Sequence, residues 1–516
     1  MSTTPEPRVS VVVPVYNPGP HIDELIASLL RQSMAPGDFE VIFVDDGSTD
    51  GTGARLDDLA SRHAHIDVVH IPNSGWPSRP RNIGIERARG TYVQFADNDD
   101  WFGDEALQRL YAYATAHDAD VVVGRMAGIR RAVPRELFRR NHPEATLANA
   151  PLIDSLTPHK MFRREFLLEH GLRFPEDERR LEDHVFVTAA YFAARRISVL
   201  SDYVCYYHVG RPDASNAGFR AFDPAGYFGN LQEALDIVDR HTGPGALRDR
   251  LHRRWLRVEI VDRLSGRRFL DAPTEWRADF FREARAVAVS RFAPGVAAGL
   301  PTSRRAAADL LIQGRMAEAL EWAGWESRVR ARATAHISPS LEITATGELY
   351  SGSSPLGFTH RSDGTDALTA PVAGIRPDAL DVTQRLGSAR MDVLARRRGG
   401  GEEFFLPATT AVERTPSGKP RGAADRFRVV HTTVAHLAPD TLNAGRNAGV
   451  WDLKVRITSC GWQRDTDLPL SLSVSTDGAP PSVVNRVRRE RLARAKRSAR
   501  RHARLLLTRV RNLRQG

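Results

Sequence analysis

Cysteine is almost missing: Cys205 and Cys460 are the two in 516 residues. Two thiols allow at most one bridge. That excludes a small disulfide-framed fold and favours free thiols in a reducing cytoplasm. Long apolar runs are missing too. No stretch nears the ~18 consecutive apolar residues a membrane-spanning helix needs. The opening MSTTPEPR lacks the apolar core of a secretory signal. No Gly-x-Gly-x-x-Gly follows the first strand-like run, and there is no Gly-Lys-Ser/Thr loop and no Cys-x-x-Cys pair. These gaps argue against dinucleotide binding, a phosphate-loop nucleotidase and a thiolate zinc site. DDGSTDGTG has the acids of a calcium loop but not its spaced terminal Glu.

What is present is an ordinary globular composition, 41% hydrophobic and 26% charged, so wholesale disorder is excluded. The length suits about three domains at ~100–200 residues each. The net charge of +10 is unevenly placed. The 36 residues from Pro481 hold 12 Arg, one Lys and one Glu, a local +12, which leaves the rest of the chain at −2. A near-neutral body with a basic tail is not the footprint of a nucleic-acid-binding body, and no nucleic-acid partner is expected.

The first ~125 residues alternate strand and helix signals. VSVVVPV (Val9 to Val15) is an apolar, β-branched run suited to a strand buried on both faces. HIDELIASLLRQ follows as a helix, then FEVIFVDD, a helix over Thr49 to Arg62, HIDVVHI, a short helix after Pro80, TYVQFADNDD, a helix over Ala106 to His117, and ADVVVG. This alternation predicts an α/β fold with a mostly parallel sheet, whose ligands bind beyond the carboxyl ends of the strands. Residues 1–225 are read as this catalytic domain and 226–335 as a helical extension. Residues 336–475 are read as an antiparallel β-sandwich, with Val450, Leu453, Val455 and Ile457 on one face and Trp451 on the other. Residues 476–516 form a basic amphipathic tail.

Asp97-Asn98-Asp99-Asp100 directly follows the strand TYVQFA. Carboxylates one residue apart at a strand end can both reach a hard divalent cation such as Mg²⁺ or Mn²⁺ when the backbone turns there. The competing reading is a solvated acidic turn with an Asp capping the helix that follows. Similarly, Glu182 and Asp183 in RRLEDHVFVTAAYF open a helix, where acids also favour the helix dipole. Val185, Phe186 and Ala189 are read as that helix's buried face.

Four blocks decide between these readings: VSVVVPVYN, VIFVDDGSTDGT, PRNIGIERARGTYVQFADNDD and LEDHVF, in this order. Together, over about Arg8 to Ala217, they resemble the family 2 glycosyltransferases with the GT-A fold. PSRPRNIGI and the long C-terminal extension are most similar to the wall-teichoic-acid (polyribitol-phosphate) β-N-acetylglucosaminyltransferases and their actinobacterial relatives. The resemblance implies inverting transfer from a nucleotide sugar, usually a uridine diphosphate sugar. It implies that Pro14, Val15, Tyr16, Asn17 and Asp45, with Asp46 behind it, hold the base. Asp97 would lie by the ribose and metal, Asp99 would ligate Mn²⁺ or Mg²⁺ directly, and His208 would complete the metal shell. Arg81 and Arg211 would pair with the diphosphate. Asp183 would be the general base, worth typically ~10²–10⁴-fold, and Glu182 would hold the donor sugar or the acceptor. Asp100 is assigned a structural role, Asn82 a brace, and Ser215 and Asn216 the end of a loop over the donor. Arg79 and Trp76 stand between a functional and a surface role.

In the tail, Val484, Val487, Leu492, Ala495, Ala499, Ala503, Leu506, Val510 and Leu513 recur at mostly three- or four-residue steps among arginines. Such a helix suits an anionic membrane surface. An anionic polymer and a solubilising tail fit the same charge. The sandwich fits either polymer binding or a spacing and homo-oligomerisation role. The expectation is an enzyme acting on a polymeric glycan or polyol-phosphate acceptor in the cytoplasm, with a peripheral position on the inner face of the plasma membrane left open. A non-catalytic polymer-binding scaffold on a degenerate transferase fold is the alternative.

Overall fold

Val9 to Val15 are buried at every position, as are Phe39 to Asp45. In this computed structural model they are neighbouring parallel strands, β1 (Val9–Val15) and β2 (Phe39–Asp45), joined by helix α1 (Asp23–Leu30). The structure describes residues 6–177, 179–211, 222–338, 340, 342–417, 425–476, 479 and 481–485. Ser215, Asn216 and the part of the basic tail from Arg486 onward lie outside the described residues, whereas Ser482–Asn485, read from sequence as the start of that tail, is a strand paired with Trp462–Val474.

Helix α2 (Thr52–Arg62) leads to β3 (Ile66–His70), parallel to β2, and α3 (Ser78–Arg87) leads to β4 (Tyr92–Phe95), parallel to β1 on its other side. The chain therefore winds outward from β1 in one direction, then returns to wind in the other. A crevice opens at such a reversal, beyond the carboxyl ends of β1, β2 and β4. Gly84 allows α3 to lie close on β1: a Cβ there would sit 2.1 Å from Val12 Cγ1.

Beyond β4 the sheet turns mixed. Strand β5 (Trp101–Phe102) and helix α4 (Ala106–Ala116) precede β6 (Val121–Ile129) and β7 (His142–Ala145). Strand β8 (Met161–Arg163), helix α5 (Arg164–Glu169), helix α6 (Glu182–Ala193) and β9 (Ile197–Val209) complete the region. The nine-stranded order is β3-β2-β1-β4-β8-β6-β9-β5, with β7 on β9. Strand β8 runs antiparallel to both β4 and β6. The expectation of parallel strands holds for β1–β4 and for the β6–β9 pair. The short strands β5, β7 and β8 have no hydrophobic period of their own.

Helices follow, from α7 (Pro224–His241) and α8 (Ala246–Trp255) to Met316–Glu326. Helix α8 runs into a π-helical turn, Leu256–Ile260. The helical run stops earlier than residue 335: Val329–Ile337 is already a strand, with a period-two burial pattern.

The described residues fall into two compact units. One is drawn from Met1–Arg328, Phe358–Arg385 and Arg421–Asp425, and the other from Val329–Gly357, Leu386–Pro420 and Arg426–Gly516. The second unit has antiparallel strands throughout. Val329–Ile337 pairs with Glu342–Ser351, which pairs with Asp425–His436. Arg390–Arg397 pairs with Gly449–Ser459, which pairs with Trp462–Val474. Trp451 is fully buried in phase with Leu453, Val455 and Ile457, whereas Val450 is half-buried. That corrects the sequence reading, which put Trp451 on the opposite face. The indole N–H reaches Asn447 O at 2.6 Å, which lets so large a ring enter the core. Among the described residues, no helix is long and apolar enough to cross a membrane.

Candidate active site

A cavity of about 460 Å³ opens at the reversal point. Its floor is the end of β1, Pro14 to Tyr16, with Tyr16 half exposed. Beside it lies Asp46, one residue past β2. Ser74 donates to Asp46 twice, N–H to Oδ1 at 2.8 Å and hydroxyl to Oδ2 at 2.9 Å. Burial raises the Asp46 pKa, against the pull of these two bonds. Gly47 is needed for the turn: its φ is +74°, and a Cβ would meet Asn73 N at 2.9 Å. Gly75, Trp76 and Pro77 continue the wall into α3.

The acidic turn after β4 supplies Asp97, Asn98 and Asp99. Asp100 points the other way, fully buried, accepting from Tyr206 OH at 2.8 Å and from Val209 N–H at 2.7 Å. These bonds fasten the turn to β9, and Tyr206 OH also accepts from Asp97 N–H at 2.9 Å. Burial, with Asp97 and Asp99 close by, pushes the Asp100 carboxyl well above the ordinary range. Burial alone would raise Asp97 as well. His159, 3.0 Å from its Oδ2, and Arg81, 2.8 Å from its Oδ1, outweigh that and hold it well below the usual value. Asp99 is raised by burial and by Asp97, against Arg211, whose Nε donates to it at 2.7 Å.

The opposite wall is the start of α6. Phe186 anchors this helix, stacked on Phe174 at 3.9 Å and edge-on to Phe95 and Phe162. The helix is buried on most sides, at His184, Phe186, Val187, Thr188, Ala190 and Tyr191. Its buried face is thus wider than Val185, Phe186 and Ala189; Val185 and Ala189 are only half-buried. Leu181, ahead of it, takes a left-handed φ of +67°, costly for a branched side chain and a common mark of functional sites. Asp183 lines the cavity, and burial followed by the charge of Glu182 pushes its pKa up to about 7. Arg81 ties the walls together, reaching Asp97 from one nitrogen and Glu182 Oε1 from the other at 3.2 Å.

The carboxylates of Asp97, Asp99 and Asp100 offer oxygens within 4.8 Å of one another, and Asp100, His159 and His208 form a second such group. Hard oxygen donors on a cavity wall fit Mg²⁺ or Mn²⁺. His208 Nε2 is buried without a partner. The ring lies behind the cavity lining, edge-on to His159 at 5.1 Å, so it joins Asp100 rather than Asp97 and Asp99.

Residues 10–204 match the model of "Glycosyl transferase family 2", and 224–323 match "Glycosyl transferase TarS linker domain". The chain carries a family 2 glycosyltransferase domain.

The transferase domain is 35% identical over 233 residues to a poly(ribitol-phosphate) beta-glucosyltransferase of Bacillus spizizenii, an alignment covering 45% of this chain and 37% of the relative. It is 38% identical over 206 residues to the poly(ribitol-phosphate) beta-N-acetylglucosaminyltransferase TarS of Staphylococcus aureus, covering 40% and 36%. The matched stretch thus spans little more than a third of these curated relatives. A solved structure of S. aureus TarS 1-349 in complex with UDP-GlcNAc superposes with a TM-score of 0.54 at 25% identity, over 67% of this chain and 98% of that one. The longer S. aureus TarS structure covers 92% of this chain at 20% identity and a TM-score of 0.54, which speaks to fold alone. The mixed sheet of the transferase domain is accordingly GT-A-like, and the helices and antiparallel sheets follow it in the expected order.

Of the residues named from sequence, Pro14, Val15, Tyr16, Arg81, Asp97, Asp99, Glu182, Asp183 and Arg211 share the cavity's lining. Asn17, Asp45 and His208 are placed elsewhere. Asn17 staples β1 to the next turn, accepting from Thr49 N–H at 2.8 Å, while its own N–H meets Ser48 Oγ at 3.1 Å. Asp45 faces His70 Nδ1 at 2.9 Å, and His70 Nε2 lies 3.0 Å from Asp57 on α2. A strand alternates its side chains, so of Asp45 and Asp46 only one can face the crevice, and it is Asp46. Asn82 braces the loop before α6, donating to Phe174 O at 2.8 Å. Arg79 is exposed and off the cavity, and Trp76 is on its wall. Sequence reading missed Arg131, His159, Arg180, Tyr227, Glu259 and Arg263, all cavity residues. They come from loops and helices without a motif, and only the topology brings them in.

Proposed function

We propose that this chain transfers a sugar, with inversion, from a uridine diphosphate sugar to a hydroxyl of a polyol-phosphate or related envelope polymer. The observation that carries the reading is that Asp183 and Asp99 line one cavity at the carboxyl ends of the strands. UDP-N-acetylglucosamine is the first donor to test, because S. aureus TarS 1-349 binds it.

In this reading the uracil lies between Tyr16 and Asp46, whose carboxylate accepts from the imide N–H. Asp97 and Asp99 would hold a divalent cation, which would supply charge neutralisation for the departing diphosphate. Arg211, whose Nε donates to Asp99, stands on the cavity lining where its guanidinium can pair with the donor phosphates. Asp183 takes the proton of the acceptor hydroxyl as its oxygen attacks the anomeric carbon. A carboxyl raised to about 7 is matched to that task near neutral pH. Glu182, fixed by Arg81, accepts from a sugar hydroxyl.

The test is UDP release from a panel of nucleotide sugars with polyribitol phosphate as acceptor, with and without Mn²⁺. Proton NMR of the product gives the anomeric configuration. Release from UDP-GlcNAc that needs Mn²⁺ and yields a β-linked product supports the reading. Donor-independent binding of polymer without turnover of any donor would instead favour the scaffold.

A further inference from the structure

The helical region reaches into the cavity. Tyr227 of α7, and Glu259 and Arg263 just beyond α8, line it together with Asp183 and His184. Glu259 sits on the π-helical turn, a feature that recurs at functional sites. It is 3% exposed and fully engaged. Arg254 donates to Oε1 at 2.6 Å, Arg263 donates to Oε2 at 2.7 Å, and Tyr227 OH also donates to Oε2. Arg254 spends its other terminal nitrogen on the transferase domain, donating to His184 Nε2 at 3.4 Å. That bond requires a neutral imidazole protonated on Nδ1. The backbone N–H of His184 in turn donates to Asp183 Oδ1 at 2.9 Å. Arg254 thus holds the ring of the residue whose backbone N–H donates to the Asp183 carboxylate, which links the helical region to that carboxylate through His184.

We infer that Glu259 and Arg254 are positioning residues for the transfer reaction, holding the Asp183 carboxylate in place through His184. The inference rests on the base role given to Asp183 above. It makes the helical region part of the reacting apparatus rather than a tether. A buried ion pair costs desolvation and is seldom a net source of stability, so its retention beside a reacting group calls for another reason.

The charges give a test that packing alone would not pass. Asp183 is faced by Glu182 on its own helix, Arg81 on α3, Lys160 before β8 and Arg254 on α8. Arg254 favours the ionised carboxylate, and Glu259 offsets Arg254. Arg254→Gln should therefore move the acid limb of the kcat–pH profile up, and Glu259→Gln should move it down, each by about half a unit or more. In both, kcat should fall at least ~10-fold while the Kd for UDP-GlcNAc with Mn²⁺ stays within ~2-fold, because the donor lies on the other wall. The measurement is kcat against pH for full-length wild type, the two variants, Arg254→Lys and Asp183→Asn. Arg254→Lys keeps the charge and should keep the limb. Limbs that stay in place, or move together, overturn the inference. If Glu259→Gln does not fold, the Lys and Gln variants at Arg254 decide: a limb kept by Lys and raised by Gln supports it, and identical limbs overturn it. Turnover by Asp183→Asn would remove the base role and the inference with it. An inactive Asp183→Asn with immobile limbs removes the inference alone.

Discussion

Arg81→Met should damage stability and donor binding together. The guanidinium side chain is 5% exposed and bridges Asp97, 29% exposed, and Glu182, 10% exposed. Removing one partner of a buried ion pair costs about 3–5 kcal/mol, because a charge is left buried and unpaired. Asp97 keeps His159 and is partly exposed, so its share is smaller, while Glu182 loses Arg81, its side-chain partner among the described residues. The expected loss is about 2–4 kcal/mol, and at roughly 2–4 °C per kcal/mol the melting point should drop by about 4–16 °C. Arg81→Lys, which keeps charge but not the fork, should fall between. The loss should depend on pH. The Asp97 carboxyl is depressed in the folded protein, so its stabilisation is present above the unfolded value and is lost as pH falls through the folded one. The deficit of the variant should thus be greatest near neutrality and narrow below about pH 4. Differential scanning fluorimetry across pH, with and without UDP-GlcNAc and Mn²⁺, checks both effects. A melting point within ~1 °C of wild type at pH 7, together with an unchanged donor-induced shift, would refute the pairing argument.

Other consequences follow from the same geometry. The wild-type kcat should rise with pH through about 7 and level off above it, since the Asp183 carboxyl must be ionised to accept a proton and is raised to about 7; a flat profile from pH 5.5 to 8.5 would contradict this. Asp99→Asn should abolish the Mn²⁺ dependence and lower turnover by about 10²-fold or more, read as UDP release over a Mn²⁺ titration. Asp46→Ala should raise the KM for the uridine donor about 10-fold with kcat nearly intact, whereas Asp45→Ala should lower the melting point and leave KM close to wild type; both are read from steady-state kinetics and melting. Gly84→Ala should destabilise by about 1–3 kcal/mol through the clash with Val12, measured by urea unfolding.

The sheet was legible where hydrophobic period and strand-end acids coincide. VSVVVPV and FEVIFVD announce buried parallel strands, and the acids after them mark the crevice edge. Asp99 and Asp183, 84 positions apart, were assigned to one site through a resemblance and not through spacing, because no local signal reports that α6 folds back over β4. The choice between Asp45 and Asp46 was hidden by one residue of register: strand alternation decides it, and sequence does not show where the strand stops. His159 and Glu259 were invisible for a different reason. Each is a lone polar residue among unpatterned neighbours, and each matters only because a distant element carries its partner. Trp451 shows that a wrong face can be assigned when parity is counted from Val450 rather than from the residues that share the core.

The most direct test of the account is single-turnover formation of a glycosidic product by full-length Asp183→Asn, with UDP-GlcNAc binding measured on the same sample. The account predicts a rate lowered ~10²–10⁴-fold with donor affinity within about twofold of wild type. A rate within a few-fold of wild type would contradict it.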